Sequence, residues 1–246
     1  MIELVAFLGN PGREYSRNRH NAGFLLAEKL PFYTSLSWQK KFKGFYAAME
    51  RDKLAPYAPV SSAPEPETGN GSLVHGSGNS PPGFEAASRV HFIKPETYMN
   101  ASGESVAAAA AFFKLKSDAV LVVHDELELP LGTISLKYSG GLGGHNGLRS
   151  MKACFGTADF WRLRIGIGRP DSRLPGEGGP QGSGEGIVDW VLSDFNAAET
   201  ETLQSVFETG AELLLRALLG KPESLLPAWA KKSLCATESF PDKVNR

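Results

Sequence analysis

The chain has 246 residues, 41% of them hydrophobic, so it is long enough to bury a full core within a single domain. The formal net charge is only -1, and two cysteines are too few for a disulfide framework, which favours a reducing compartment. The apolar N-terminal stretch has no basic residues before it, and no run approaches the roughly 20 apolar residues that a membrane span needs. We therefore expect a soluble, cytoplasmic protein without a signal peptide or a membrane span.

The small net charge hides an uneven distribution along the chain. Residues 1–53 contain nine Lys and Arg against five Asp and Glu, and residues 131–170 contain six against one. Residues 171–209 contain one against eight. Two basic segments favour binding of a polyanion such as nucleic acid, although ordinary solvated surface charge gives the same counts.

The predicted secondary-structure elements alternate between strands and helices. Apolar and β-branched runs predict strands at residues 2–8, 42–49, 90–93, 119–123, 133–137 and 161–167. Apolar residues at helical spacing predict helices at residues 21–30, 100–115 and 197–219. Ser102 is the predicted N-cap of the second helix, and Asn196 with Glu199 forms a predicted capping box at the third. This order predicts an α/β sheet of largely parallel character.

Two segments lack the apolar content of the rest of the chain. Residues 54–89 include six Pro, five Gly and six Ser, and residues 171–186 include six Gly and two Pro. Neither segment can offset the entropy of ordering its backbone, so both are predicted to be flexible surface insertions. We predict one domain over residues 1–220 and a C-terminal tail over residues 221–246.

Four short polar strings lie where apolar runs end. They occupy residues 10–12 running on to 19–21, then 98–100, 124–126 and 140–146. Sites in open α/β sheets lie beyond the carboxyl ends of the strands, so strings distant in sequence can meet in one crevice. Their histidines, acids and neutral amides suit attack by an activated water on a carbonyl, and none offers the Gly-x-Ser-x-Gly turn of a serine nucleophile.

Five ordered motifs resemble those of bacterial peptidyl-tRNA hydrolase. They are Gly-Asn-Pro-Gly-x-x-Tyr…Arg-His-Asn-x-Gly, Lys-Pro-x-x-Tyr-Met-Asn-x-Ser-Gly, His-Asp-Glu-Leu-x-Leu-Pro, Gly-Gly-His-Asn-Gly-Leu-Arg-Ser and Phe-x-Arg-Leu-Arg-Ile-Gly-Ile-Gly-Arg-Pro, at residues 9–23, 94–103, 124–130, 143–150 and 160–170. The resemblance implies a single α/β domain whose mixed, twisted sheet has helices on both sides. It also implies hydrolysis of the ester between a peptidyl group and the 3′-terminal ribose of tRNA. By the same resemblance the enzyme is a monomer that acts on peptidyl-tRNA and needs no cofactor and no metal.

The resemblance further assigns catalytic roles. His20 matches the general base, since an imidazole with a pKa of about 6.5 can take a proton from water, and Asp125 matches the carboxylate that orients it. Asn10, Asn100 and Asn146 match amides that contact the peptide, the reacting carbonyl and the attacking water. Because neutral amides cannot neutralise a buried cation, such a site should prefer N-acylated substrates over a charged α-amino group. Taken singly, each of these residue types is also common in turns, caps or packing.

Other matched positions point to tRNA. Tyr15 and Tyr98 match residues near the terminal adenosine, where RNA bases stack on aromatic rings, and the neighbouring Met99 offers a further apolar surface. Core packing is the alternative, and for Met99 it is equally favoured. Lys137 and Arg164 match a pair that holds a phosphate of the acceptor stem, and a solvated strand face is the alternative for both.

Two other functions remain open at this point. A metal-dependent hydrolase or nuclease would use His20, His124, Asp125 and His145, although no His-x-x-x-His or equivalent spacing supports it. A non-catalytic RNA-binding protein is the second, and the presence of His20, Asp125 and the three asparagines argues against it. His124 itself is predicted to be structural, because neighbouring residues of an extended chain point to opposite sides.

Overall fold

The computed structural model describes residues 1–59, 89–170 and 184–234, which fold around one eight-stranded sheet. The strands are β1 (Leu4–Phe7), β2 (Gln39–Lys41), β3 (Gly44–Glu50), β4 (Arg89–Pro95), β5 (Val120–Glu126), β6 (Thr133–Tyr138), β7 (Trp161–Gly166) and β8 (Lys232–Ser233). Their order in the sheet is β2-β3-β4-β1-β5-β7-β6-β8. The central strands β4, β1, β5 and β7 are parallel, and the outer strands pair in antiparallel fashion. The predicted α/β fold with a mixed sheet is confirmed.

Helices cover both faces of this sheet. In the described residues they are α1 (Ala22–Glu28), α2 (Ser102–Phe113), α3 (Asn146–Phe155), α4 (Gly184–Leu192), α5 (Ala197–Leu219) and α6 (Pro222–Trp229). Val5 and Phe7 of β1 pack into a core shared with α1, α5 and α6, whereas Leu4 and Ala6 pack into a core shared with α2 and α3. This alternation explains why the central strands are apolar on both sides. Within the described residues, none of the helices has the length and apolar character to cross a membrane.

Most predicted elements are present with shifted ends. The strand predicted at residues 42–49 begins at Gly44, because Phe42 and Lys43 form the two-residue hairpin loop after β2 with φ of 55° and 54°. The strand predicted at residues 119–123 extends to Glu126, so His124 and Asp125 lie within β5 rather than after it.

The two predicted helix caps have different outcomes. The capping box of Asn196 and Glu199 at α5 is confirmed. The prediction that Ser102 caps α2 is wrong, because a 3-10 turn over Met99–Ala101 leads straight into the helix. Ser102 therefore already has helical φ and ψ of -56° and -35°, and no side chain caps α2.

The predicted insertions overlap with folded structure at their ends. Leu54 is fully buried in a 3-10 turn over Arg51–Tyr57, and the ring of Tyr57 lies 5.7 Å from that of Phe32. Residues 184–186 belong to α4. These residues are part of the fold, and the rest of both predicted insertions, residues 60–88 and 171–183, lies outside the described residues.

The fold also continues past residue 220. Helix α6 buries Trp229, and β8 then pairs with β6, with Ser233 opposite Thr133 and Lys232 opposite Ile134. The first part of the predicted tail therefore completes the sheet. Residues 235–246 lie outside the described residues.

Candidate active site

His20 and Asp125 lie against each other at the carboxyl ends of the parallel strands, with Asp125 among the last residues of β5. Nδ1 of His20 lies 3.0 Å and 3.1 Å from the two carboxylate oxygens of Asp125. The two residues are only 6% and 2% exposed. A carboxylate only accepts hydrogen bonds, so Nδ1 carries the proton and Nε2 carries the lone pair of the neutral ring. Within the described residues no protein group hydrogen-bonds to Nε2, which therefore remains available as a base.

A glycine lets His20 come this close to the sheet. His20 lies in a 3-10 turn that leads into α1, and Gly23 is in the first turn of that helix. A β-carbon at Gly23 would lie 2.5 Å from the carbonyl oxygen of Leu8 and 2.6 Å from that of Val123. Any other residue would have to move α1 away from the ends of β1 and β5, and His20 with it.

A second imidazole contacts the same carboxylate. Nε2 of His145 lies 3.0 Å from Oδ1 of Asp125. Nδ1 of His145 accepts hydrogen bonds of 3.1 Å and 3.3 Å from the backbone amides of Gly147 and Leu148, so His145 is also the N-cap of α3. From the sequence, a role for His145 was predicted only in the metal-dependent alternative, and no helix was predicted after it.

Burial and charge shift the pKa values of this cluster. Burial would lower the pKa of His20, but the charge of Asp125 and the hydrogen bond to it raise this pKa above 6.5. Burial would raise the pKa of Asp125, but the neighbouring His20 and His145 hold it well below 3.8. Asp125 is therefore ionised at neutral pH. His124 is 1% exposed, and burial lowers its pKa well below 6.5, so its ring stays neutral.

His20 and Asp125 line a cavity of about 310 Å³. Asn146, Arg149 and Glu126 form much of its polar wall. Helix α4 supplies an apolar wall made of Ile187, Val188 and Val191. A larger cavity of about 750 Å³ lies between α1 and α5, but among the described residues none of those predicted for the site lines it.

Arg19 fixes the turn that carries His20. Its side chain is 5% exposed, its guanidinium lies 3.7 Å from the ring centroid of Trp190 on α4, and it donates to both carboxylate oxygens of Glu199 at 2.9 Å and 2.7 Å. It also donates to the side chain of Ser193 at 2.7 Å. The sequence analysis gave Arg19 no role, because its partners lie more than 170 residues away in the chain.

Asn10 joins two of the polar strings. Its Oδ1 accepts a hydrogen bond of 2.8 Å from the backbone amide of Met99. Its backbone amide donates to Oδ1 of Asn21 at 2.8 Å, and Nδ2 of Asn21 donates to the carbonyl of Asn10 at 3.0 Å. Nδ2 of Asn10 makes no hydrogen bond within the described part of the chain. Asn10 and Asn21 also line a neighbouring cavity of about 230 Å³, and the sequence analysis had given Asn21 no role.

The other predicted residues of these strings differ in exposure. Asn100 is exposed, and across the described ranges no hydrogen bond joins its side chain to the His20–Asp125 pair. Asn146 is exposed at the start of α3 and accepts a hydrogen bond of 3.4 Å from Arg149. The side chain of Met99 is 4% exposed and packs in the core, which is the alternative considered for it.

The glycine-rich string is held by a buried arginine that the sequence analysis passed over. Arg162 on β7 is 2% exposed and donates to the carbonyls of Gly141 at 2.6 Å and Gly140 at 2.9 Å. These bonds fix the loop that leads to His145. The available signal was a charged residue within a predicted strand, but Arg164 two positions later gives the same signal.

His20, Asp125 and His145 are also the one group in the described residues that could hold a metal ion by proximity, with candidate atoms within 4.8 Å of one another. Two features of the hydrogen bonding oppose this. Nδ1 of His145 accepts from two backbone amides, so the ring proton is on Nε2 and no lone pair faces Asp125. Nδ1 of His20 likewise carries a proton toward the carboxylate. The three side chains form a hydrogen-bonded chain around one carboxylate rather than a metal centre.

Comparison with known proteins identifies the family. The family model for peptidyl-tRNA hydrolase matches residues 4–62 and 69–233. This chain belongs to the peptidyl-tRNA hydrolase family. It is 42% identical over 237 residues to the peptidyl-tRNA hydrolase of Treponema pallidum (strain Nichols), covering 95% of this chain and 96% of the relative. The predicted family and the predicted activity, hydrolysis of peptidyl-tRNA, are confirmed.

Solved peptidyl-tRNA hydrolases share the fold. The crystal structure of a peptidyl-tRNA hydrolase in complex with N-propanol has a TM-score of 0.68 and 29% identity, covering 93% of this chain and 96% of that one. The crystal structure of the Acinetobacter baumannii enzyme has a TM-score of 0.66 and 30% identity, covering 92% and 91%.

The residues that the resemblance to peptidyl-tRNA hydrolases links to tRNA lie outside the His20 cavity. The rings of Tyr15 and Tyr98 are 6.4 Å apart and perpendicular, and Tyr98 is 61% exposed. Lys137 lies on β6 and Arg164 on β7, where Arg164 is opposite Ser135. Because Ser135 and Lys137 are two positions apart on one strand, Lys137 and Arg164 share a face of the sheet.

Arg164 already has an anionic neighbour in this family member. Its guanidinium lies 3.6 Å from the carboxylate of Glu126 and donates to Oγ of Ser135 at 2.7 Å. The side chain is 16% exposed. A phosphate would therefore approach a guanidinium that is partly occupied.

Proposed function

We propose that His20 is the general base of the peptidyl-tRNA hydrolase reaction and that Asp125 orients it. The observation that carries this proposal is the pair of contacts at 3.0 Å and 3.1 Å between Nδ1 of His20 and the carboxylate of Asp125. Because Nδ1 faces Asp125, the lone pair of Nε2 points away from the carboxylate and is free to accept a proton. His20 lines a cavity of about 310 Å³, large enough for the reacting ester and a water molecule.

The chemical steps follow from this arrangement. His20 takes a proton from water at Nε2 as the water oxygen bonds to the ester carbonyl carbon. Asp125 stabilises the imidazolium that forms. The tetrahedral intermediate then breaks its bond to the ribose oxygen, and the imidazolium returns the proton to that oxygen. The products are tRNA with a free 3′-terminal ribose hydroxyl and a peptide carboxylic acid, which then loses its proton to water and leaves as the carboxylate.

Neutral amides stabilise the oxyanion and hold the acyl group in this proposal. Nδ2 of Asn10 is a donor without a protein partner in the described residues, and the bond from Met99 to Oδ1 fixes its orientation. Asn146 lines the same cavity as His20, and Asn100 follows Met99 in the chain. We assign these two side chains to the peptide and the attacking water.

The charges around the cavity support a preference for N-blocked substrates. A free α-amino group is largely a cation near its pKa of about 7.7–8.0 and needs a carboxylate partner when it is buried. Asp125 is committed to two imidazoles. Glu126 also lines the cavity, but it lies 3.6 Å from Arg164 and accepts a hydrogen bond of 3.3 Å from the backbone amide of Glu128.

We further propose that Tyr15 and Tyr98 stack on the terminal adenosine, and that Lys137 and Arg164 hold an acceptor-stem phosphate in competition with Glu126. Met99 contributes to the site through its backbone amide, which holds the side chain of Asn10, rather than through its own buried side chain. The enzyme acts as a monomer in the cytoplasm in this proposal, and the exposed, unpaired Cys154 is compatible with a reducing compartment.

Turnover of N-acetyl-aminoacyl-tRNA and of unblocked aminoacyl-tRNA, each with and without a chelator, tests the proposal. We expect hydrolysis of the blocked substrate alone, no effect of the chelator, and a loss of about 10²–10⁴-fold in His20→Ala. His91→Gln is the matched control, because His91 lies on β4 outside the three cavities described above and should keep activity near that of the wild type.

Three results would overturn the proposal. Near wild-type turnover by His20→Ala would remove the assigned base. Activity abolished by the chelator and restored by a divalent ion would favour the metal-dependent alternative. Binding of tRNA without hydrolysis by the wild type would favour the RNA-binding alternative.

A further inference from the structure

One oxygen of Asp125 is shared between two histidines. Oδ1 lies 3.0 Å from Nδ1 of His20 and 3.0 Å from Nε2 of His145. The two rings lie close together, with centroids 4.9 Å apart and planes inclined at 50°. The side chains of His145 and Asp125 are shielded from water, since they are only 8% and 2% exposed.

The start of α3 determines the protonation of His145. Its Nδ1 accepts from the backbone amides of Gly147 and Leu148, and an amide N–H can only donate. Nδ1 must therefore hold a lone pair rather than a proton. The single proton of the neutral ring is then on Nε2, where it points at Asp125. Protonating both nitrogens would break the cap of α3.

We propose that His145 is a positioning residue for the hydrolysis reaction. It is a neutral imidazole, held in one orientation by the cap of α3. It keeps Asp125 in place and limits how strongly Asp125 stabilises the imidazolium of His20. This inference rests on the role of His20 and Asp125 proposed above. It assigns to His145 a function distinct from base, nucleophile or metal-binding residue.

Two physical effects act in the same direction. A hydrogen bond donated to Oδ1 stabilises the negative charge of Asp125 and so weakens its attraction for the His20 imidazolium. The positive end of the Nε2–H dipole also points at Oδ1, the same oxygen that lies 3.0 Å from Nδ1 of His20, so it opposes a positive charge on His20. Without His145, the imidazolium of His20 would be more stable, and less of His20 would be in the base form near neutrality.

Other charged groups also face the cluster. Glu126, Arg149 and Arg169 line the cavity. The ring of His124 lies 5.0 Å from that of His145, and burial keeps it neutral by lowering its pKa well below 6.5.

The remaining elements around the cluster add few charges. The side chains of α4 that line the cavity are apolar, and Arg19 beside His20 is paired with Glu199. The acid limb is therefore assigned to His20, whose pKa is raised from 6.5 by Asp125.

The variant His145→Asn separates the two functions of His145. Asparagine is a favourable N-cap, so its side-chain oxygen can accept from the amides at the start of α3, but it is too short to reach Asp125 as well. His145→Ala loses both the cap and the contact. The experiment measures kcat/KM for N-acetyl-aminoacyl-tRNA against pH, together with Tm, for both variants and the wild type. The acid limb is the part of this pH profile in which kcat/KM falls as the pH is lowered.

For His145→Asn we expect a Tm between those of the wild type and His145→Ala, because Asp125 loses a buried partner while the cap of α3 remains. We also expect an acid limb moved upward by about 0.5–1 pH unit, so that activity falls several-fold more at pH 6.5 than at pH 8.5. His145→Ala should show the same movement of the acid limb with a lower Tm. A purely structural role would instead lower activity equally at both pH values. An unmoved or downward-moved limb in His145→Asn overturns the proposal.

A measurement without turnover distinguishes failure of this inference from failure of the proposed function. The ring resonances of His20 are followed by NMR over pH in the wild type and in His145→Asn, and assigned with His20→Asn. A rise in the His20 pKa supports the inference whatever the enzyme hydrolyses. An unchanged or lower value in an enzyme that hydrolyses the blocked substrate overturns the inference alone.

Discussion

The side-chain oxygen of Asn10 accepts a hydrogen bond of 2.8 Å from the backbone amide of Met99. Asn10 follows β1 and Met99 follows β4, and these strands are parallel neighbours. The bond therefore joins two loops at the same end of the sheet. It also fixes the orientation of the amide, because only the oxygen can face an N–H donor. The Oδ1 half of the side chain is structural, and within the described residues Nδ2 has no hydrogen-bond partner, as the proposed contact with the substrate requires.

Replacing Asn10 should separate these two halves. Asn10→Ala loses the donor and leaves the buried amide of Met99 without its partner, which costs about 1–3 kcal/mol of unfolding free energy and about 10²–10³-fold in kcat. Asn10→Asp keeps an acceptor for Met99 but has no donor. It should recover Tm relative to Asn10→Ala without recovering kcat. Wild-type kcat in Asn10→Asp would exclude Nδ2 as an oxyanion donor.

Asp125→Asn should remove the orientation of the base. An amide at this position can present its N–H₂ to Nδ1 of His20 and stabilise the wrong tautomer, so kcat should fall by about 10³–10⁴-fold. The charge that raises the pKa of His20 is also lost, and burial then lowers that pKa. Steady-state kinetics from pH 5 to 8.5 would detect both changes. A loss of less than about tenfold would mean that Asp125 does not orient the base.

The wild-type pH profile should show an acid limb with its midpoint above pH 6.5. The pKa of His20 is raised, and the protonated form cannot act as a base. Activity should therefore fall as pH drops through that raised pKa, with a limiting slope of about one proton. The check is kcat/KM against pH for N-acetyl-aminoacyl-tRNA. A midpoint well below 6.5 would contradict the charge coupling between His20 and Asp125.

The raised pKa of His20 increases the stability of the fold at acid pH, where it decreases activity. A histidine whose pKa is raised by folding stabilises the folded state below its unfolded pKa, and that contribution is lost as pH rises through the folded value. The fold thus gains stability from His20 on the acid side, where catalysis is lost. Urea unfolding of the wild type and His20→Asn at pH 6 and 8 measures this difference, which should be larger at pH 6.

Arg19→Ala should be strongly destabilising. The Arg19–Glu199 pair has side chains only 5% and 15% exposed, so removing one partner leaves an uncompensated charge and costs about 3–5 kcal/mol of unfolding free energy. Arg17→Ala is the matched control. Its ion pair with Asp194 has side chains 82% and 44% exposed and should contribute less than about 1 kcal/mol. If Arg19→Ala and Arg17→Ala lowered the free energy of unfolding equally, burial of the Arg19–Glu199 pair would not explain its contribution to stability.

The sequence was most informative where local pattern and chemistry coincide. The apolar, valine-rich run at residues 119–123 predicted a buried strand because strands covered on both faces carry near-continuous apolar residues, and β5 lies there. The position of the polar strings at strand ends correctly predicted that His20 and Asp125 meet. The capping box at Asn196 was likewise a local signal.

What the sequence did not reveal depends on contacts distant along the chain. Helix α3 begins with a histidine cap immediately after a glycine-rich loop, and neither feature is a usual helix signal. The contact between His145 and Asp125 depends on where that helix starts. Arg19 and Arg162 resembled surface charges, because the carbonyls, carboxylate and ring that surround them come from elements far away in sequence. Burial of Leu54 was hidden by the composition of the residues that follow it.

The absence of a side chain at Gly23 has a wider consequence for this enzyme. Helix α1 rests directly on the carbonyl oxygens of Leu8 and Val123, main-chain atoms whose places are held by the hydrogen-bonded ladders of two central strands. The distance between the His20 imidazole and the Asp125 carboxylate is thus determined by the spacing of the polypeptide backbone. This spacing changes little when core side chains are exchanged. Exchanges of core side chains should therefore leave this separation unchanged, whereas a single added methyl at Gly23 would alter it.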